Sequence, residues 1–304
     1  MFGGLEMTEC NYTPQDFIKA CEKFRKTIST ENEKKLEKIK ELKKINDIES
    51  NDKKKKAEDS VKEAIRTAVD LAYNDAKRTM HGIGGKSADA KENVIKIFNE
   101  YFDDEAPNSE EAFKEKQAYL CDAWVKSFKE SSSLGTYGKA QKIVNMTFKY
   151  LYCYADDNLE KLKGYFQYCH MPLDSFTLEW FKRTICSRKE KIFKTKVGSW
   201  SSMSKSNESN ITQGKSAEEK YAYLFYVDKI QEYINNNKIS LSPLQLEFII
   251  WPKMQLELAT ENYLFALTDE YKKTAEKEKI RKESLDYKMA LVIKKIKDLD
   301  CKKQ

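Results

Sequence analysis

The stretch SSSLGTYGKAQKIVNMTFKYLYCYADDN, residues 131–158, raises the central question about this chain. A turn of small residues with two glycines precedes apolar residues at helical spacing, which predicts a helix over residues 139–155. Lys142 and Lys149 lie two turns apart on one side of it, flanked by Asn145 and Lys139. These lysines form either a solvated helix face or a group that binds or reacts. The opposite side carries Ala140, Ile143, Val144, Thr147, Phe148, Leu151 and Ala155.

The composition outside this stretch is typical of a helical protein rich in charge. Of the 304 residues 34% are charged, and only ten glycines and five prolines are present, which is few turn residues for the length. Apolar residues also recur at helical spacing in residues 60–80, 110–130 and 242–273, whereas no convincing pair of strands is evident. We therefore predict an all-α fold.

Changes in composition predict four regions. Residues 1–58 read as a charged N-terminal helical extension, with a break in the helix at residues 49–60. Residues 59–197 form the helical core, and residues 198–216, rich in Ser, Asn and Gly, form a linker or loop. Residues 217–304 form a C-terminal helical region that packs on the core.

The absence of paired cysteines and the small number of histidines disfavour several classes of protein. The seven cysteines include no CxxC pair, and His81 and His170 are the only histidines, so no spacing typical of a zinc site is present. No run of 18 apolar residues occurs, and the N-terminus lacks a basic region followed by an apolar one. We expect a cytoplasmic protein that needs neither metal nor organic cofactor. The net charge of +6 permits a polyanionic partner.

The glycine turn before the lysine-bearing helix has the form of a hairpin between two helices. Gly135 and Gly138 would allow the backbone to approach another group closely, and the start of the following helix would direct amide N–H groups outward. A hairpin with these features can grip a DNA phosphate. Tyr137 would stand at its tip.

The segments LGTYGKAQKIVNMTFKYLYCYA and HMPLD resemble the helix–hairpin–helix DNA glycosylase superfamily, nearest to the archaeal-type 8-oxoguanine DNA glycosylases. The resemblance covers about residues 112–182 and implies a helix–hairpin–helix core with long lysine-rich flanking helices. It implies that Lys142 is the nucleophile and that Asp174, 32 residues later, is the partner carboxylate. The residues implied to bind DNA are Gly135, Tyr137, Gly138, Lys139, Lys149 and His170.

The hairpin departs from the pattern of that superfamily. Its usual form is Leu-Pro-Gly-Val-Gly, whereas this chain has LGTYG, without proline and with two residues between the glycines. The departure leaves Lys139 as a second candidate for the nucleophile.

The residue types suit removal of a base from its sugar. A carboxylate stabilises the positive charge that builds at the anomeric carbon, and a neutral lysine amine attacks that carbon to give a Schiff base. Neighbouring lysines would lower the pKa of the Lys142 amine by repulsion, and the N-terminal end of a helix would keep Asp174 ionised. The target base must be flipped from the duplex, and Tyr137, Trp180 and Phe181 are candidates to stack on it or fill its gap.

The resemblance therefore favours a DNA glycosylase, with or without AP-lyase activity, that acts on duplex DNA with a damaged or modified base. A protein partner for the charged terminal helices is a further expectation. The alternative is a non-catalytic helical module that binds nucleic acid or another protein. In that case the lysines supply only counter-charge, Asp174 is an ordinary helix N-cap, and His170 bonds to a loop carbonyl.

Overall fold

The computed structural model of the chain describes residues 12–27, 51–77, 87–128, 135–154, 163–186, 200–206 and 222–266. Every regular element within these ranges is a helix, so the all-α prediction is confirmed for them. Large parts of the predicted N-terminal extension and linker, the first residues of the hairpin and the last C-terminal helix lie outside the described residues.

The described residues form nine α-helices and one short 3₁₀ turn. The helices are α1 (residues 14–27), α2 (Asn51–Lys77), α3 (Ser87–Asp103), α4 (Glu110–Lys126), α5 (Tyr137–Tyr154), α6 (Lys163–Phe166), α7 (Ser175–Thr184), α8 (Tyr223–Asn236) and α9 (Pro243–Ala266), with the 3₁₀ turn at Trp200–Ser202.

The prediction of a break in the helix at residues 49–60 is wrong for residues 51–60, which are helical. Helix α2 already begins at Asn51 and continues through the lysine run to Lys77. Lys, Glu, Ala and Asp in this run are compatible with a helix, and Gly and Pro, which interrupt helices most strongly, are absent from it. A cluster of charges by itself therefore did not end the helix.

Helix α5 lies at the centre of the packing. It packs against α2, α4 and the 3₁₀ turn, while α3 packs against both α2 and α4. Phe148, on its predicted apolar side, makes edge contacts with the ring of Phe98 and a tilted contact with that of Phe113. The apolar periodicity thus correctly identified the side of α5 that enters the aromatic core.

The lysine side of α5 is buried as well. Every residue from Tyr137 to Leu151 is buried, including Lys139, Lys142 and Lys149. The interpretation of these lysines as a solvated face is therefore wrong. Because buried charges require partners, their burial raises the question of which groups pair with them.

The chain divides into two compact units, and the boundary between them lies within α9. The first, Met1–Ile249, contains α1 to α8 and the start of α9. The second, Ile250–Gln304, contains in its described residues the remainder of α9, with Pro252 inside the helix. All the residues discussed below belong to the first unit. Within the described ranges, no helix combines the length and the apolarity that crossing a membrane requires.

Candidate functional site

Lys142 and Asp174 meet inside the first unit. The Lys142 Nζ lies 2.6 Å from the Asp174 Oδ2, and the two side chains are only 9% and 10% exposed. Lys142 is on α5, and Asp174 directly precedes α7. The amine and carboxylate that the sequence singled out are therefore neighbours in space, in an environment where a charge–charge contact is stronger than in water.

Asp174 is held in place by the helix that it opens. It is the N-cap of α7, and its Oδ1 accepts hydrogen bonds from the backbone N–H of Phe176 at 2.9 Å and of Thr177 at 3.0 Å. The Thr177 Oγ1 in turn accepts from the Asp174 N–H at 2.7 Å, which completes a capping box. One carboxylate oxygen is thus fixed by the helix, while the other faces the amine.

Gln141 fastens the segment before Asp174 to α5. Its Nε2 donates to the Leu173 carbonyl at 2.8 Å, and its Oε1 accepts from the Leu173 N–H at 3.1 Å. Gln141 directly precedes Lys142, and Leu173 directly precedes Asp174. The paired hydrogen bonds therefore set the distance between the two chain segments that carry the amine and the carboxylate.

A second buried ion pair lies two turns further along α5. The Lys149 Nζ is 2.5 Å from the Glu247 Oε2, with side-chain exposures of 3% and 0%. The amine also lies 4.2 Å from the ring centroid of Phe24 and 4.8 Å from that of Phe248, within the range of cation–π attraction. The sequence offered no signal for Glu247, because it stands in an apolar helical segment far along the chain.

The two ion pairs influence one another. Burial raises the pKa of the Glu247 carboxyl, and the charges of Lys149 and Lys142 oppose that rise, while Asp174 adds to it. The group contains two amines and two carboxylates, so it carries no net charge when all four are ionised. We call Lys142, Asp174, Lys149 and Glu247 the buried charge cluster.

Lys139, the second candidate nucleophile, is buried one turn before Lys142. Burial lowers the pKa of its amine from the usual lysine value. A lowered pKa increases the fraction of the neutral, nucleophilic form at neutral pH, so its chemistry also suits attack on carbon.

The two hairpin glycines lie in close contact with other segments of the chain. The Gly138 N–H donates to the Met203 carbonyl at 2.9 Å, and a Cβ at Gly138 would lie 1.9 Å from the Trp200 carbonyl oxygen. A Cβ at Gly135 would meet Val125 and Phe128 of the α4 end at 3.0 Å. The close approaches in this structure are made to the 3₁₀ turn and to the end of α4, and the predicted contact with phosphate stays a prediction.

Tyr137 and His170 are also turned inward. The Tyr137 hydroxyl donates to the Gln117 Oε1 at 3.3 Å, and its ring packs on Tyr223. The His170 ring is buried against Phe113, with its Nδ1 2.8 Å from the Tyr223 hydroxyl. Their contacts in this structure are with the interior, although His170 also lines the cavity of about 220 Å³, and the predicted contacts of both residues with DNA stay predictions.

His170 is neutral because burial and the charge of Lys114 lower its pKa to about 3. The Tyr223 oxygen accepts from Gln117 at 3.1 Å and from Asn145 at 2.9 Å, which leaves its own proton to donate to the His170 Nδ1. The ring proton of His170 then sits on Nε2, which has no hydrogen-bond partner among the described residues.

Trp180 and Phe181, the other aromatic candidates, are buried on α7. The Trp180 Nε1 donates to the Tyr12 hydroxyl at 3.2 Å, and the Phe181 ring packs edge-on against Tyr226. These two rings therefore help to join α7 to its neighbours.

Three cavities are described in the first unit, of about 220, 500 and 300 Å³. None of the three is lined by Lys142 or Asp174, as far as the described residues extend. A search of the same residues found no group of three or more His, Cys, Asp or Glu side chains placed to hold a metal ion.

Comparison of the chain with protein-family models, with curated proteins and with solved structures gave no match.

Proposed function

We propose that this chain is a DNA glycosylase with a helix–hairpin–helix core that releases a damaged or modified base, using Lys142 as nucleophile and Asp174 as the charge-stabilising carboxylate. The observation that carries the proposal is the contact of 2.6 Å between these two groups, buried and 32 residues apart in sequence. Buried charge pairs also stabilise folds, and the experiment below separates a chemical role of this pair from a structural one.

The geometry supports a division of labour between the two groups. Since Oδ1 of Asp174 is fixed by the α7 amides, Oδ2 is presented at the Lys142 amine in a defined orientation. A preorganised carboxylate in a low-dielectric site stabilises positive charge at the anomeric carbon strongly. The same oxygen is within reach to take a proton from the lysine, which must become neutral before it can attack.

The proposed reaction begins when an everted nucleotide enters between the paired groups. Lys142 passes a proton to Asp174, and its nitrogen forms a bond to the anomeric carbon while the bond from that carbon to the base breaks. The base leaves with the electron pair of the broken bond and takes the proton from Asp174 as that bond breaks, so Asp174 is again a carboxylate while positive charge builds at the anomeric carbon. Opening of the sugar ring then gives a Schiff base, from which β-elimination can cut the strand.

The experiment offers the full-length protein single-stranded and duplex oligonucleotides that carry a panel of damaged and modified bases, with borohydride present. Reduction of the Schiff base would leave a covalent protein–DNA adduct on a denaturing gel. We expect Lys142→Gln to abolish the adduct and Asp174→Asn to slow base release by about 100-fold or more. Lys96→Gln is the matched control, because it makes the same change of charge at a side chain that is 76% exposed.

Two outcomes would count against the proposal. In the first, Lys139→Gln abolishes the adduct while Lys142→Gln retains it. The nucleophile would then be Lys139, and the assignment of Lys142 would be refuted. A protein that binds DNA but releases no base from any substrate would support the non-catalytic module instead. Binding alone does not separate the two functions, because both predict an affinity that falls with salt.

A further inference from the structure

The largest of the three described cavities lies where α1, the end of α5 and the start of α9 come together. Its volume is about 500 Å³, and its lining residues come from four separate segments, residues 17–25, 152, 166–167 and 240–245. Cavities of about 300 to 1,000 Å³ are the usual sites for small organic molecules in proteins. The cavity therefore has the size of a ligand site.

Aromatic rings form one wall of this cavity. The Tyr152 ring makes edge contacts with Phe17 and Phe166, at centroid distances of 5.8 and 5.5 Å. All three rings line the cavity, and so does Ile18, whose side chain is 52% exposed. Such a wall favours a ligand with an apolar, flat body, because aromatic rings pack edge-on or offset against one another.

The Tyr152 hydroxyl is a hydrogen-bond donor at this wall. Its oxygen accepts from the Gln245 Nε2 at 3.0 Å, and no described residue accepts its proton. Burial raises the pKa of this hydroxyl, so it keeps the proton at neutral pH. The group can therefore donate to a ligand that carries an acceptor.

Arg25 adds a positive charge to the same cavity. It is half-buried on α1, and its charge lowers the pKa of Tyr152 against the effect of burial, which places the guanidinium near the hydroxyl. A guanidinium has five N–H donors and fits a carboxylate through two parallel hydrogen bonds. Glu22, one turn earlier, also lines the cavity, but it is exposed and solvent screens its charge. The donors and the half-buried charge together favour an anionic group.

We propose that this cavity is a binding site for a small aromatic carboxylate. The ring of the ligand packs on Phe17 and Phe166, and its carboxylate accepts hydrogen bonds from the Arg25 guanidinium and the Tyr152 hydroxyl. No member of the buried charge cluster is among the described residues that line the cavity. The inference therefore does not depend on the function proposed above.

The test compares three probes of nearly equal size, phenylacetate, 2-phenylacetamide and 2-phenylethylamine, which are anionic, neutral and cationic. The full-length protein carries ¹³C at the δ1 methyl groups of isoleucine, and the Ile18 signal is identified by its loss in Ile18→Val. Phenylacetate should shift the Ile18 signal in a saturable way, with a Kd on the order of 1 mM. The amide should bind about tenfold or more weakly than phenylacetate.

Two substitutions one turn apart on α1 test the sign of the ligand's charge. Arg25→Gln should weaken the binding of phenylacetate by about tenfold or more, and Glu22→Gln should strengthen it by about twofold, because a like charge is removed. Tyr152→Phe keeps the ring and should weaken binding by about threefold or more. Lys23→Gln is the matched control, since it removes one positive charge from an exposed position of α1 outside the cavity lining. Its affinity should equal that of the unchanged protein.

Four outcomes would overturn the proposal. Equal affinity for phenylacetate and its amide would show that the cavity does not recognise a carboxylate, and tighter binding of 2-phenylethylamine would assign it to cations. Equal losses in Lys23→Gln and Arg25→Gln would mean that the overall charge of α1 attracts the probe, without a specific contact to Arg25. An Ile18 signal that none of the three probes shifts would refute binding in this cavity.

Discussion

The two buried lysines of α5 are paired with carboxylates that are held very differently. Asp174 has one oxygen bound by two backbone amides and the other at the amine of Lys142. Glu247 is approached by Lys149 at 2.5 Å, and no further donor to its oxygens is present among the described residues. Asp174 is therefore the oriented carboxylate of the buried charge cluster, as a group that stabilises developing charge must be.

His170 carries the clearest prediction at the level of a single residue. Its pKa is lowered to about 3 in the folded chain, whereas an unfolded histidine titrates near 6.5. Below the unfolded value the unfolded chain binds a proton that the folded chain does not, so stability is fully present above about pH 6.5 and is lost as the pH falls towards 3. The contribution is about 1.4 kcal/mol for each pH unit in that window.

We expect the free energy of unfolding of the unchanged protein to fall more steeply on acidification than that of His170→Gln. Urea unfolding at about pH 7 and about pH 4.5 would measure the difference, which should reach about 2 to 3 kcal/mol at the lower pH. The carboxylates and His81 contribute equally to both proteins, so the comparison isolates His170. Parallel pH dependence in the two proteins would contradict a buried neutral histidine.

At the scale of elements, the site depends on how the start of α7 is fastened to α5. The helix begins with a capping box at Asp174, and Gln141 bridges both backbone groups of Leu173. The connection before α7 thus has no freedom to slide along α5 without breaking buried hydrogen bonds. This arrangement makes Gln141 a positioning residue for the pair that it precedes.

The Gln141→Met variant tests that role. It should lower the free energy of unfolding by about 2 to 4 kcal/mol, because the N–H and carbonyl of Leu173 are left buried without partners. It should also slow formation of the borohydride adduct by about tenfold or more, since a misplacement of about 1 Å at a reacting group costs up to about 100-fold. The measurements are urea unfolding and the rate of adduct formation.

Gln117→Met provides the control for this variant. Gln117 is a buried glutamine of α4 that bonds to Tyr223, Asn145, Tyr137 and Cys121, and it bonds to neither Lys142 nor Asp174 nor to the residue directly before either of them. It should lose a similar amount of stability and retain the rate of adduct formation of the unchanged protein. Equal losses of rate in both variants would mean that Gln141 acts only through general stability.

Local sequence signals located the elements well. Apolar spacing predicted a helix at residues 139–155, and α5 is Tyr137–Tyr154. The interpretation of Asp174 as an N-cap is confirmed, because side-chain capping depends only on residues a few positions apart. Apolar spacing from residue 242 onward also predicted a helix, and α9 begins at Pro243, where the Ser242 Oγ accepts from the Gln245 N–H.

The surroundings of those elements could not be predicted in the same way. The partner of Lys149 is Glu247, which belongs to a helix near the other end of the described chain, and no local pattern links the two. Gly138 signalled a close approach, but the sequence did not state that Trp200 is the group approached. Contacts between distant segments decide which charges can be buried, and a single sequence does not display them.

At the scale of the whole first unit, the charges of the site lie inside the packing and not at its edge. Helix α5 carries three lysines and is nonetheless buried from Tyr137 to Leu151. The charges of Lys142 and Lys149 are accommodated because Asp174, the N-cap of α7, and Glu247 of α9 lie beside them. Removal of either carboxylate would leave a buried positive charge, which is strongly destabilising. The carboxylates of the candidate site therefore also contribute to the stability of the fold.

This architecture predicts that α5 is the most stable element of the first unit. An amide in a helix that is buried along its length exchanges with solvent only when the surrounding structure opens, so its protection should approach the free energy of global unfolding. Helix α1, by contrast, exposes most of the residues in its first turns. Hydrogen exchange of the full-length native protein, read by mass spectrometry, should show α5 peptides exchanging last and α1 peptides much earlier.

The denaturant dependence of exchange sharpens this prediction. In low concentrations of urea, exchange of α5 should accelerate with the same slope as global unfolding, because both expose the same surface. Exchange of α1 should show a much smaller slope, as expected for local opening. Equal protection of α1 and α5, or a small urea slope for α5, would mean that α5 opens independently. The buried charge cluster would then reach solvent without unfolding of the unit that encloses it.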